Sequence, residues 1–373
     1  MSRMRKYYLD NARYLSIFLV LIIHVVEPTF EIMYPQTPTS GSELYAVSYI
    51  TYFVLAWMLN LFFVIAGICA RYSLARNGYE NRKPGAFLVS RARSLLLPSF
   101  GYMIFLGWIP FLCSFGDLLH PFRWELATTC LKILMGPMWF CFQLFSFTAI
   151  LALIVLIDKK DFLYRIGNRV WAYILFLIPI MLVPMYSYPQ HIGKPVFPYL
   201  YGPPDESFFA NICFFFAGYV IFSHEKAIEF LKKFWYALLI PGTALGIYVT
   251  ITLSRNIEYY PGWVERLYSW IMTPAVLAVF IRFLNKNNRF TKYMSRYSFP
   301  YLVLQFPSQY IAAWIAVQLD VPRGYAMYAV IFVLLFIIMQ ILAVVIKRIP
   351  GLRFILFREG KPKPKKEPVP DTA

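Results

Sequence analysis

The 373-residue chain is 59% hydrophobic and only 15% charged, with a mean hydropathy of +0.55. Soluble domains average about 45–50% apolar and about 25% charged residues, so a soluble globular enzyme, a disordered chain and a coiled coil are excluded. The net charge of +17 would point to nucleic acid in a soluble protein; on so apolar a chain it is read first against a membrane.

Runs of about 17–25 apolar residues can cross a bilayer. Such runs predict ten spans, at 12–30, 45–70, 94–114, 133–157, 170–186, 207–223, 235–253, 263–281, 297–317 and 325–346. The first follows a basic patch, as in a signal peptide, but Glu27-Pro28 stands where a small-residue cleavage site would be, so it is read as a retained helix. The expected fold is an all-α integral membrane protein of about ten transmembrane helices with both termini cytoplasmic. Residues 1–348 form its transmembrane domain, and 349–373 a basic, Pro/Lys-rich cytoplasmic tail suited to anionic lipid headgroups or simple solvation.

The charges test this topology. Ten spans put 30 of the 36 Lys and Arg on one side, against 9 of the 19 acids. The other side holds Arg123, Lys132, Lys194, Arg255, Arg266 and Arg323 with ten acids. That ladder obeys the positive-inside rule, and dispersal of the cations over six segments disfavours nucleic acid. The expected location is a bacterial inner (plasma) membrane, crossed many times.

Chemistry is sought at polar residues inside the apolar runs, where they are costly. In the first run Arg13 and His24 are separated by eleven residues, which leaves them about 20° apart around a helix and roughly 16 Å apart along it. Glu27 follows His24 at i+3, within reach of its ring. An imidazole supported by a carboxylate is a general base for a hydroxyl; the plain alternative is a histidine bonded to a neighbouring helix. On residues alone the pair also suits a proton-coupled transporter, or a flippase of a glycan or lipid-linked substrate, and a non-catalytic sensor stays open.

Next comes a basic loop with Arg71, Arg76, Arg82, Lys83, Arg91 and Arg93, ending at Pro98. Six cations against Glu80 suit a donor with several phosphates such as acyl-CoA, although a topology-setting loop explains the charge as well. Asn60 in the second run, Trp139 and Gln143 after Gly136-Pro137, and Gln305 in the ninth run are candidate substrate contacts. Each has a bland alternative as an interface anchor or a helix–helix hydrogen bond. The cysteines Cys69, Cys113, Cys130, Cys141 and Cys213 form no metal or disulfide pattern, and no metal site is expected.

In order along the chain stand Leu9-Asp10-x-x-Arg13 with His24, Phe62-Phe63-Val64-Ile65-Ala66-Gly67, the arginines before Pro98, Trp139-Phe140, Phe214-Phe215-Phe216-Ala217-Gly218-Tyr219 and Ser298 to Pro307. This set resembles acyltransferase family 3, the membrane acyltransferases, over essentially the whole chain. Tyr8-Leu-Asp-Asn-Ala-Arg13 and Arg348-Ile-Pro-Gly-Leu-Arg-Phe-Ile-Leu-Phe357 look most like its glucans biosynthesis protein C branch. The resemblance implies transfer of an acetyl or succinyl group from cytoplasmic acyl-CoA (acetyl-CoA or succinyl-CoA) to hydroxyls of an extracytoplasmic glycan or glucan. His24 would then be the base, and Arg13 with the Arg91/Arg93 pair would serve donor binding or structure. The sequence departs from many relatives in having Arg91-Ala-Arg93 rather than Arg-x-x-Arg, and Gln305-Phe306 where a histidine is common.

Overall fold

A computed structural model describes residues 6–25, 45–76, 78–110, 134–182, 208–254, 262–322 and 324–358. Among these residues the chain is helical, without strands. The helices are α1 (Tyr7–His24), α2 (Tyr45–Leu74), α3 (Pro84–Phe105), α4 (Trp139–Ile157), α5 (Phe162–Ile166), α6 (Val170–Leu182), α7 (Phe208–Val220), α8 (Glu225–Lys233), α9 (Trp235–Ser254), α10 (Gly262–Phe283), α11 (Arg289–Gln318), α12 (Tyr325–Arg348) and α13 (Pro350–Phe357).

A helix lies over each of the ten predicted segments. Six helical stretches among the described residues are long and apolar enough to cross a bilayer: those of α2, α3, α4, α9, α10 and α12, with a seventh if α7 and α8 count as one broken span. Among the described residues α6 and α7 cover 13 residues each, both bordering residues 183–207, which lie outside the description, whereas α1 and α11 are diluted by polar residues. In α1 these are Asp10, Asn11, Arg13 and His24; in α11 they include Gln305, Ser308 and Gln309.

The lipid-facing character is clear in α12. Met327, Ile331, Leu335, Met339 and Ala343 are buried on one side, while Val333, Ile337, Ile341 and Val345 are exposed on another. A helix apolar on its exposed face as well as its buried one belongs in hydrocarbon. Helices satisfy most of their backbone groups internally, so such a bundle suits the bilayer interior.

The tightest crossing joins α2 and α7. At Gly67 an added Cβ would overlap the Phe215 carbonyl oxygen, and at Gly218 it would overlap the Val64 carbonyl oxygen. Each glycine therefore receives the backbone three residues before its counterpart. This small-residue crossing lets the two backbones touch, which is how membrane helices gain packing when apolar burial drives nothing. The phenylalanines beside it fill the flanks: Phe63 contacts Phe147 at 5.3 Å, and Phe147 contacts Phe208 at 5.0 Å and Phe215 at 5.8 Å.

Long-range hydrogen bonds gather the predicted basic segments at one end of the bundle. Lys6 donates to Glu225 Oε1 at 2.6 Å and Tyr72 Oη at 2.7 Å. Asn11 Nδ2 donates to the Lys286 carbonyl at 2.9 Å. Arg82 caps the C-terminal end of α4, donating to the carbonyls of Val155 at 3.0 Å and Asp158 at 2.9 Å. The first and last described residues, Lys6 and Arg358, both belong to this end, which we call the basic end.

One prediction needs correction. The segment from Arg71 to Pro98 is not one loop, because Arg71 lies inside α2 and both Arg91 and Arg93 lie inside α3. Pro84 supplies the reason: its fixed φ and missing N–H suit a first helical turn, so α3 starts ten residues before the predicted span. α8 leaves α7 at 101° and buries only Ile228 and Leu231, with its lysines exposed. That is the pattern of a helix lying at an interface.

Candidate active site

α1 is wedged between α2, α10 and α11, and connects two polar regions. Tyr8, Ala12, Val20, Leu21 and Ile23 are buried along it. Its far end is fixed by the Tyr328 hydroxyl, which donates to the Ile22 carbonyl at 3.2 Å. His24 is the last residue of α1 and largely buried. Its ring meets that of Phe306 edge-to-face, with centroids 5.3 Å apart. Arg13 lies in the second turn of the helix, toward its N-terminus, where Nη2 contacts Cys69 Sγ at 3.6 Å and Nη1 lies 3.7 Å from Asp10. Glu27 lies outside the described residues, so its predicted position beside His24 falls there too.

α11, which supplies Phe306, is broken in pattern by Pro300 and Pro307. Pro307 has no N–H, so the Val303 carbonyl loses its regular helical donor. On this stretch Gln305 is 1% exposed and its Oε1 has no partner among the described residues. Ser308, one turn on at i+3 and on the same face, is fully buried with its Oγ likewise unpartnered. A buried polar atom without a partner costs about 1–3 kcal/mol, so two on one helical face mark a place where a ligand or water is accommodated.

Gly136-Pro137-Met138 forms a 3₁₀ turn leading into α4 and packs on α11. Gly136 adopts φ +46°, a left-handed conformation for which glycine is suited. It also leaves room for Tyr102 of α3, whose hydroxyl occupies the space a Cβ would need. That hydroxyl is buried and unpartnered too. Sequence reasoning missed Tyr102 and Ser308. Neither sits in a polar motif, and their significance comes only from burial without a partner.

The other predicted contacts are placed differently. Asn60 Nδ2 donates to Ser269 Oγ at 2.6 Å and to the Ala56 carbonyl at 2.7 Å, tying α2 to α10. Gln143 Oε1 accepts from Asn211 Nδ2 at 2.9 Å, a buried amide pair between α4 and α7. Both amides are engaged in helix–helix bonds. Trp139 is half-buried and stacks edge-on against Phe140, which packs on Phe63 at 4.9 Å.

The predicted donor arginines separate in the same way. Arg71 makes a bidentate pair with Asp161, at 2.7 and 2.6 Å, and lies 3.5 Å over the Tyr164 ring, whose other face stacks on His224 at 3.7 Å. Its guanidinium is enclosed by protein. Arg91 is partly buried over Phe87 and comes within electrostatic reach of Arg13, whereas Arg93 is exposed. Residues two apart on a helix do not share a face, so Arg91-Ala-Arg93 sends one guanidinium inward and one outward.

The arrangement is a cationic cluster at the basic end, an imidazole near the opposite end of the same helix, and unpartnered hydroxyl and amide groups on the helix that touches that imidazole. No curated protein and no solved structure matches the chain. The family model described as acyltransferase domain (acyltransferase 3) matches residues 6–348, from the start of α1 to the last residue of α12. With that match over nearly the whole chain, and apolar helices of membrane-spanning length within it, the protein belongs to the acyltransferase 3 family and is a membrane acyltransferase.

Proposed function

We propose that the protein transfers an acyl group from acyl-CoA, acetyl-CoA or succinyl-CoA, to a hydroxyl of an extracytoplasmic glycan or glucan, with His24 as the general base. The donor approaches the basic end, taken as cytoplasmic in a bacterial inner membrane crossed by ten helices. The observation that carries this reading is the span of α1, with Arg13 in the arginine cluster at one end and His24 near the other. The two are roughly 16 Å apart along the axis, the scale of an extended pantetheine arm with its nucleotide held back at the surface.

The chemistry balances on this chain's residues. The neutral imidazole of His24 takes the acceptor hydroxyl proton as the oxygen attacks the thioester carbon. The C–S bond breaks, the acyl–oxygen ester remains, and the imidazolium returns its proton to the departing thiolate. Phe306 packs edge-on against the ring, and Glu27, three residues on in the sequence, is the carboxylate proposed to support the imidazole. The Ser308 and Tyr102 hydroxyls donate to acceptor or thioester oxygens and Gln305 Oε1 accepts from an acceptor hydroxyl, which accounts for these three atoms having no protein partner among the described residues. Arg13 and Arg91 bind donor phosphates, as guanidinium groups do best. The resemblance of Tyr8–Arg13 and Arg348–Phe357 to the glucans biosynthesis protein C branch supports a glucan acceptor and succinyl as one of the two acyl groups.

The test is transfer of radiolabelled acetyl and succinyl groups by purified, reconstituted protein to a β-glucan acceptor, comparing wild type with His24→Gln. Loss of at least about a hundredfold, with the thermal transition unchanged, is the expected result for a general base. Full transfer by His24→Gln overturns the mechanism.

A further inference from the structure

The corner between α4 and α5 is held from several sides. α4 ends at Ile157, and the chain turns through Asp161, left-handed at φ +57°, into α5. Arg82 donates to the carbonyls of Val155 and Asp158, and the Tyr79 hydroxyl donates to the same Asp158 carbonyl at 3.1 Å. Just after α5, Gly167 lies against the Val220 carbonyl oxygen with no room for a Cβ, which fixes the corner to the end of α7.

This corner frames a cleft of about 430 Å³, lined by Ile157, Asp158, Lys159, Lys160, Phe162 and Arg165. Its charge is one-sided. The Asp158 carboxylate is occupied, accepting from the backbone N–H of Phe162 at 2.7 Å and of Leu163 at 2.9 Å, and the neighbouring Asp161 is taken by Arg71. Lys159, Lys160 and Arg165 are exposed, and among the described residues none of them forms an ion pair. A cleft lined by one sign of charge concentrates ions of the other.

The cleft is also apolar. Ile157 is 84% exposed and Phe162 67%. Leu153, Leu156 and Ile157, spaced i, i+3 and i+4, form an exposed aliphatic stripe that runs along α4 into the cleft. α4 belongs to a stretch of membrane-spanning length, Gly136–Ile157, so the cleft at its last residue stands at headgroup level. A soluble phosphate would satisfy the cations and leave Ile157 and Phe162 against water. A lipid satisfies both, with its phosphate among the cations and an acyl chain on the stripe.

We propose that this cleft is a binding site for an anionic glycerophospholipid. Lys159, Lys160 and Arg165 hold the headgroup phosphate, and Ile157 and Phe162 carry the start of the acyl chains. The site is separate from the acyl-transfer residues, and the inference does not depend on which donor or acceptor the enzyme uses.

The experiment measures lipid bound to the purified full-length protein in detergent by native mass spectrometry, with phosphatidylglycerol and phosphatidylcholine of equal chain length. Wild type should bind phosphatidylglycerol in preference. Replacing Lys159, Lys160 and Arg165 together by Gln should lower that affinity about tenfold and leave phosphatidylcholine binding as it was. Replacing Lys226, Lys232 and Lys233 of α8 by Gln removes the same charge and should keep the preference. Ile157→Ser leaves the cations in place and should also weaken phosphatidylglycerol binding. Thermal unfolding is followed in parallel; should the triple cleft variant unfold, Arg165→Gln alone decides, by a several-fold loss. No preference in wild type, equal losses in the two triple variants, or undiminished binding by a folded cleft variant overturns the site. Displacement of the lipid by glycerol phosphate at the lipid's own concentration would make it a free-phosphate site and overturn the lipid as occupant.

Discussion

Gly67 and Gly218 meet back to back where α2 crosses α7, each occupying the space before the other helix's carbonyl oxygen. This contact explains two aromatic–glycine motifs whose glycines are 151 residues apart. Phe63 and Phe214 each precede a glycine by four residues, so each crossing glycine carries a buried aromatic one turn away. The motif is a packing device that aligns α2, and so brings the α2 end with Cys69 and Arg71 against the arginine cluster and the Asp161 pair.

Gly67→Ala or Gly218→Ala should therefore destabilise the bundle. A methyl group driven against backbone cannot be relieved by a rotamer change, and a cost of about 3 kcal/mol is expected. Gly85→Ala is the control: it lies in α3 with open space around it, so it should be neutral or mildly stabilising. Thermal unfolding in detergent separates them; equal melting temperatures for Gly67→Ala and Gly85→Ala would refute the contact.

The Arg71–Asp161 pair is almost completely enclosed, with side-chain exposures of 9% and 15%. Removing one partner leaves the other charge unpaired, so Arg71→Ala and Asp161→Asn should each cost about 3 kcal/mol, and the double variant less than their sum. Donor KM should stay near wild type for Arg71→Lys, which keeps the charge but not the bidentate geometry. A raised donor KM with unchanged stability would restore Arg71 to the donor site.

His224 stacks on Tyr164 beside Arg71, outside the spanning segments. Burial holds its pKa below the ordinary histidine range, while the hydrogen bond to the Tyr164 carbonyl acts the other way and Arg71 adds to the depression. The fold prefers the neutral ring, so this contribution to stability is present above about pH 6.5 and is lost as pH falls below it. The melting temperature of the wild type should drop between pH 7 and pH 5 more steeply than that of His224→Gln. Parallel curves would exclude the effect.

Gln305→Leu tests whether an unpartnered amide serves a ligand or the fold. Replacing a buried amide that has no bond for its oxygen should leave stability unchanged or raise it by about 1 kcal/mol. Acyl transfer should fall all the same, as should that of Ser308→Ala. A destabilised Gln305→Leu protein with unaltered specific activity would make Gln305 structural.

Much of the architecture was legible in residue order. Apolar runs placed a helix at every predicted segment, because lipid rewards uninterrupted apolar surface and the backbone must satisfy itself. The cation ladder showed which segments share an end, and the bonds of Lys6, Asn11 and Arg82 gather them there. The Arg13-to-His24 interval followed from helical geometry alone. What sequence could not determine was which polar residues are already engaged. Asn60, Gln143 and Gln305 look alike as isolated amides, yet Ser269 and Asn211 bond the first two, while the oxygen of the third is unpartnered. Partners so distant in sequence are chosen by helix packing, which no local pattern encodes. The same holds for the arginines: Arg71 and Arg91 read alike in the chain, and only the tertiary structure pairs one with Asp161 over the Tyr164 ring and leaves the other partly buried over Phe87.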